Sequence, residues 1–399
     1  MRIGIDTRLI NETGVGRYIQ SIVPFIVKNK KVQWFLIVRK SERELLDLTL
    51  KNIQKSNITI IEFNERWHSI KEQIFLPLVL NKLKLNLFHS PYINVPLFYF
   101  KPLAVTIHDL TFLTHKTGKA SANKFLYYFL QIGYKIVLKK ALACDIIFTV
   151  SSSVKKEIVE TFAKIDPSKI KVTPNGFVKI AQEKEYNPYL ADLVKQSSPY
   201  FFYMGNAQPH KNLDFLVENL DIFFNKVKKY KIIIAGRDDY FMQKLFEKCQ
   251  KMKNSQNFVF LKNPKDEDLY SLYSKSEALI LPSLKEGFGL QILEAMQTNT
   301  LILASGIDSY KEIGSTSLMY FNPTSSKSFF LALARILKFG NKDKKQIFNK
   351  YKSILTRYNF KITAGETLNS YFLFLNKNTT NKKNIKNLII QNYLEKPKK

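Results

Sequence analysis

Short apolar runs and longer amphipathic stretches alternate along most of the chain. Runs at 3–6, 32–38, 58–63, 85–89, 103–107 and 145–150 have the length and β-branched content of buried strands, while 19–27, 41–55, 70–84 and 121–143 space their apolar positions as helices do. The alternation resumes with strand patterns at 200–205, 231–236, 259–261, 279–281 and 301–304, and helical ones at 213–224, 290–296 and 325–339. Strands and helices taken in turn predict an α/β architecture of parallel, doubly wound sheets. A polar stretch at 178–199 with Pro188 and Pro199 separates the two series and reads as a linker.

Length agrees with that division, because 399 residues exceed one ordinary core and suit two domains of about 200 residues each. Hydrophobic residues at 45% and aromatics at 13% exclude a disordered chain. Cys144 and Cys249 are the only cysteines, too few for a disulfide framework or a cysteine-rich zinc site, and they fit a cytoplasmic protein. The chain opens on a strand pattern instead of a secretory signal, and no apolar run reaches the length needed to span a bilayer.

Lys plus Arg total 62 against 33 acidic residues, a formal charge of +29 that favours anionic partners. No zinc finger, RNP-like aromatic motif or basic repeat accompanies the charge, so specific nucleic-acid recognition is not expected. The stretch Ser121 to Ala143 mixes aromatics with lysines. It suits a core helix with solvated lysines, or a face in peripheral contact with an anionic membrane at the inner side of the plasma membrane. Residues 376–399 carry seven lysines and one glutamate among many asparagines, and are expected to be disordered.

Parallel sheets bind ligands at the carboxyl ends of their strands, so the polar residues that follow each apolar run are the candidates for chemistry. After the first run, Gly14-Val15-Gly16-Arg17 is a glycine loop opening a helix, suited to a phosphate or to close approach by a substrate. A dinucleotide fingerprint would want a third glycine where Ile19 stands, which counts against a dehydrogenase. His108-Asp109 ends the 103–107 run, and Lys211, just ahead of a helix, can act as a point charge on a diphosphate. Arg237 ends another strand pattern, where it suits a place near a nucleotide.

The densest constellation is Glu286-Gly287-Phe288-Gly289-Leu290, a loop entering a helix that carries Glu294. Loop amides and the positive end of the helix suit a diphosphate. Eight positions amount to about 12 Å of rise on an unbroken helix, which disfavours a facing acid–base pair for glycoside hydrolysis. Glu286 can instead accept hydrogen bonds from sugar hydroxyls, and Glu294 can grip a ribose diol. Asp266-Glu267-Asp268 has the D-x-D form of a metal-dependent GT-A transferase, but it also fits an Asp266 helix cap with an acidic first turn, and no metal is expected.

Glu286-Gly-Phe-Gly-Leu290-x-x-Leu293-Glu294-Ala-Met296 resembles the E-x(7)-E signature of retaining family-4 glycosyltransferases, which have the GT-B fold. The Gly14/Gly16 loop, His108-Asp109, Asn175-Gly176 and Lys211-Asn212 match the same family in order. Three departures stand out: Gln291 where proline is usual, Asn299-Thr300-Leu301 for Gly-x-Pro, and Asn206 where an arginine commonly follows the glycine. The resemblance implies two Rossmann-like domains facing a cleft: an acceptor-side domain at 1–180, a nucleotide-sugar domain at 181–357, and a closing helix at 358–375 that crosses back.

The activity it implies is retaining transfer of a hexose from a nucleotide diphosphate sugar, of GDP-mannose, UDP or dTDP type, to a hydroxyl of a glycan or lipid-linked acceptor. No metal or other cofactor is implied. The resemblance is to bacterial mannosyl- and rhamnosyl-type transferases of surface polysaccharide synthesis. It places His108, Lys211 and Glu286 at the reacting centre, and Gly14, Gly16, Asn206, Gly287, Phe288, Gly289, Leu290 and Glu294 around the donor. Arg17, Asp109 and Asn175 are implied on the acceptor side. Two further readings stay open: another GT-B enzyme, such as a nucleotide-sugar epimerase, and a non-catalytic basic binding protein on the same scaffold.

Overall fold

A computed structural model describes residues 1–12, 14–114, 124–180 and 188–394. Thr13, residues 121–123 of the expected long helix and 181–187 of the expected linker lie outside the described residues. The first sheet contains β1 (Arg2–Asp6), β2 (Gln33–Val38), β3 (Ile58–Glu62), β4 (Leu87–Ser90), β5 (Leu103–Ile107), β6 (Ile146–Thr149) and β7 (Ile170–Val172), in the order β3-β2-β1-β4-β5-β6-β7. The second contains β8 (Tyr200–Met204), β9 (Lys231–Gly236), β10 (Phe258–Lys262), β11 (Ala278–Leu281), β12 (Ile302–Ser305) and β13 (Met319–Phe321), in the order β10-β9-β8-β11-β12-β13.

Every pairing is parallel, with Ile3 beside both Trp34 and Leu87 in one sheet and Phe202 beside Leu279 in the other. Helices cover both faces of such sheets, so central strands bury nearly every residue, as Ile232, Ile233 and Ile234 do. Winding runs outward in both directions from β1 and from β8. The switch points therefore fall between β1 and β4 and between β8 and β11, where a ligand crevice opens.

Local chemistry sets several boundaries. Ser69 and Ser151 cap the helices Ile70–Lys82 and Ser152–Thr161 by accepting from the Glu72 and Val154 amides. The second half of the expected linker is instead a helix, Pro188–Ser197. Proline is suited to a first helical position, and Leu190 and Val194, four apart, bury on the core.

The chain crosses between the two sheets twice. It leaves the first sheet through Thr173–Val178 and returns in the helix Phe360–Leu394, whose Phe360, Ala364 and Tyr371 join the first domain's core beside the helix Gly14–Ile26. The two crossings touch: a Cβ on Gly176 would lie 2.1 Å from the Phe360 nitrogen, and Thr363 Oγ1 donates to the Pro174 carbonyl at 2.5 Å. Tyr371 is fully buried and hydrogen-bonds His89 Nδ1. Helical backbone continues past 375 to Leu394, where disorder was expected, and no glycine or proline interrupts that stretch before Pro397. Among the described residues, no helix is long and apolar enough to cross a membrane.

Candidate active site

The carboxyl ends of the two sheets border a common cleft of about 650 Å³. Of the residues expected at the reacting centre, around the donor or on the acceptor side, all but Gly16 line it. Gly16 lies behind the wall, where a Cβ would stand 2.5 Å from the Ile10 carbonyl oxygen; its smallness lets the first helical turn pack under the loop.

On the second domain, Lys211 Nζ lies 2.6 Å from Glu286 Oε1, with side chains only 11% and 14% exposed. The same carboxylate oxygen accepts from Ser283 Oγ at 2.8 Å and Tyr310 OH at 3.1 Å. Burial pushes this carboxyl up, but the Lys211 ammonium outweighs it, aided by His210 and by hydrogen bonds from Lys211 and Ser283, and the net position is below the ordinary value. Burial, with the Glu286 charge added, drives the Tyr310 phenol well up, so it remains a donor.

Asn212 sets the position of Lys211. It adopts φ 59°, in the left-handed region that asparagine tolerates, and its Nδ2 donates to the carbonyls of Pro282 at 3.1 Å and Pro323 at 2.8 Å. The Leu284 amide donates to the His210 carbonyl at 2.8 Å, fastening the Lys211 turn to the Glu286 loop. Asn206 Oδ1 accepts from the Gln208 amide at 3.3 Å, while Arg237 is 58% exposed at the rim, 3.5 Å from Glu12.

Glu294 sits in the helix Leu290–Gln297, which has no side-chain cap at Gly289. Both of its oxygens already have partners: Arg17 Nη1 from the first domain at 2.8 Å and Tyr273 OH at 2.7 Å. Arg17 also pairs with Asp266. Asp266 does not cap its helix as expected, because it is the first residue inside the turn and Lys265 holds the cap position; Asp268, at the third position, reaches back and accepts from the Lys265 amide at 2.9 Å.

His108 Nε2 lies 2.9 Å from the Pro91 carbonyl, which can only accept, so the ring proton sits on Nε2 and Nδ1 remains an acceptor. Burial lowers the imidazole below its ordinary range despite the Pro91 bond and Asp109, keeping it neutral. Gly287 brings the two domains together here. A Cβ on it would fall 1.8 Å from the His108 carbonyl oxygen, and its own carbonyl accepts from Ser151 Oγ at 2.6 Å. Asp109 Oδ1 accepts from the Thr111 amide at 2.8 Å, and the buried Asn175 Oδ1 has no partner among the described residues.

Sequence reasoning missed Trp67, Tyr92, Tyr273 and Tyr310. The first two line the cleft and the last two bind its glutamates. Trp67 lies in a short loop with no periodic signature, and the two tyrosines reach the site only through the packing of distant helices.

Two Rossmann-ordered sheets that meet across a cleft at their carboxyl ends define the GT-B fold. The family model for glycosyl transferases group 1 matches residues 191–353, and that for glycosyltransferase family 4 matches 13–178. The chain belongs to this family of glycosyltransferases. It is 30% identical over 267 residues to the O-antigen chain mannosyltransferase RfbU of Salmonella typhimurium, a match covering 65% of this chain and 70% of that protein. The O-antigen chain mannosyltransferase B of Escherichia coli is 28% identical over 176 residues, 43% of this chain and 46% of that one.

Among solved structures, sucrose-phosphate synthase from Thermosynechococcus elongatus has a TM-score of 0.73 at 14% identity, covering 94% of this chain and 100% of its own. Anabaena HepE, solved with UDP, has a TM-score of 0.66 at 13% identity, covering 93% and 99%. Identities this low speak for the fold alone.

Proposed function

We propose that the protein is a retaining hexosyltransferase that moves a sugar from a nucleotide diphosphate sugar to a hydroxyl of a glycan or lipid-linked acceptor, without a metal, in surface polysaccharide assembly. The observation that carries this reading is the Lys211–Glu286 pair across one cleft from His108. Without donor, each charge satisfies the other. When a donor arrives, the diphosphate takes Lys211, and Glu286 turns to the hydroxyls of the sugar. Glu294 meets the ribose by exchanging Arg17 for the diol.

In the transfer step, the acceptor oxygen bonds to the anomeric carbon as the bond from that carbon to the diphosphate breaks. The acceptor proton passes to the departing diphosphate oxygen on the same face, so configuration is retained. Lys211 and the amides entering the helix Leu290–Gln297 stabilise the negative charge that grows on the leaving group. His108, neutral and with Nδ1 accepting, receives a sugar hydroxyl.

The mannosyltransferase names of the O-antigen relatives favour a mannose-type donor, and we place the reaction on the cytoplasmic side of the membrane. Exposed Tyr128, Phe129, Ile132 and Ile136 beside Lys135 and Lys139 support peripheral contact with an anionic bilayer. The test is transfer in EDTA from GDP-, UDP- and dTDP-sugars, with NMR of the product's anomeric configuration. Lys211→Ala and Glu286→Ala should each lower transfer about 100-fold. Wild-type rates from either variant, or an inverted product, would sink the assignment.

A further inference from the structure

One wall of the cleft is built with more care than a solvent-facing loop needs. Trp67, between β3 and the helix Ile70–Lys82, and Tyr92, after β4, stand edge to face with ring centroids 6.2 Å apart, and both line the cleft. His68 next to Trp67 holds φ 61°, a left-handed conformation that non-glycine residues adopt only when their surroundings enforce it. The enforcing contact is its amide, which donates to Glu72 Oε2 at 2.6 Å.

Glu72 is fully buried and also accepts from Arg8 Nη2 at 2.6 Å and from Asn94 Nδ2 at 2.9 Å. Arg8, 1% exposed, in turn grips Asp6 through Nε at 2.9 Å and Nη2 at 2.6 Å. One buried ion network thus clips the end of β1, the Trp67 turn and the loop after β4 into a single rigid piece. Burying three charges costs more than an apolar core of equal volume would, so its return is in positioning.

The network also leaves two polar atoms over. Arg8 Nη1 is buried without a partner among the described residues, and Asn94 Oδ1, likewise buried and without a hydrogen bond of ordinary geometry there, has the His68 side chain as its neighbour and keeps an acceptor site to spare. The Asn94 orientation is fixed, because its Nδ2 faces the Glu72 carboxylate. Arg8 and Asn94 line a cavity of about 10 Å³ that shares Leu9, Trp67 and Tyr92 with the cleft. It has room for one hydroxyl-sized group. A hydroxyl can both accept from a guanidinium and donate to an amide oxygen, and so answers both atoms at once.

We propose that this wall is the acceptor subsite. A pyranose ring of the acceptor lays its apolar face on Trp67 and inserts one hydroxyl beside Tyr92, where it bridges Arg8 Nη1 and Asn94 Oδ1. The assignment rests on the transferase reading, since Lys211, Glu286 and Glu294 hold the donor from the opposite domain and, on this side, the donor takes only the Gly14 loop and His108, leaving Trp67 and Tyr92 to the acceptor.

The chain carries a built-in reporter for the test. It has two tryptophans, and the other, Trp34, is fully buried in the first domain. Tryptophan emission is titrated with methyl α-D-mannopyranoside, methyl β-D-galactopyranoside and methyl N-acetyl-β-D-glucosaminide, with glycerol as a ringless polyol. At least one glycoside should shift the emission saturably, glycerol should not, and Trp67→Phe should abolish the shift. In transfer to that glycoside, Trp67→Ala should raise the acceptor KM about 10- to 100-fold while kcat changes less than about threefold, with Trp67→Phe recovering most of the affinity. Emission unmoved by every glycoside, or an acceptor KM unmoved by Trp67→Ala in an enzyme that still cleaves its nucleotide sugar, would overturn the subsite alone. Wild-type protein that cleaves no nucleotide sugar would sink the transferase reading and the subsite with it.

Discussion

Gly287 offers the sharpest test of how the cleft works. Gly287→Ala would place a methyl group 1.8 Å from the His108 carbonyl oxygen and 3.1 Å from Asp109 Cβ. Neither neighbour is a flexible side-chain end, so relief must come from backbone movement, and the domain boundary is the softest place for it. Restoring van der Waals contact needs a displacement of about 1.5 Å between the Glu286 loop and His108, and misplacement on that scale can cost about 100-fold in rate, or about 2.7 kcal/mol in the barrier. Folding should suffer far less. The Ser151 bond to the Gly287 carbonyl is worth on the order of 1 kcal/mol, which moves Tm by a few degrees at most. The assay is kcat at saturating donor, with a melting curve on the same sample and Gly133→Ala as control, because a Cβ there meets nothing within 4 Å. Wild-type kcat from a folded Gly287→Ala enzyme would refute the argument that this contact sets the catalytic geometry.

Two other outcomes follow from buried groups. Burial holds the His89 imidazole down to about 3 against an ordinary 6.5, so the unfolded chain takes up the proton first; stability is whole above about pH 6.5 and drains as pH falls toward 3. Melting curves between pH 7 and about 4 should show that decline, and His89→Gln should flatten it; parallel curves for the two proteins would refute it. Asn212→Gly keeps the left-handed turn but loses both carbonyl bonds, whereas Asn212→Ala adds strain of about 1 kcal/mol, so kcat and Tm should fall in the order wild type, Gly, Ala. Equal values for the two variants would remove backbone conformation from the explanation.

Much of the site could be read from the sequence because parallel sheets deliver function at one end of each strand. His108 follows an apolar run directly, Lys211 and Glu286 stand in the loops after theirs, and the structure puts all three in one cleft. What escaped depended on contacts between distant parts of the chain. Nothing near Glu294 announces that Arg17 will reach it from the other domain, and nothing near Asp266 announces that the same arginine will pair with it. Gly287 was readable as part of a loop whose amides suit a diphosphate, but a further constraint on it is a backbone from the opposite domain. Pro188, taken as a linker signal, opens a helix because Leu190 and Val194 find a core to enter.

The contact between Gly176 and Phe360 makes the second domain an insertion: the chain leaves the first domain and re-enters it at the same spot. Host and guest are joined by two adjacent tethers, as a door is hung on two leaves along one edge. Such a mounting resists sliding and twisting, so any relative movement of the two domains would be confined to a swing about that edge. It also means that the host needs no long bridge to close without its guest. A direct splice from Gly176 to Phe360 would leave the first sheet and its returning helix joined end to end.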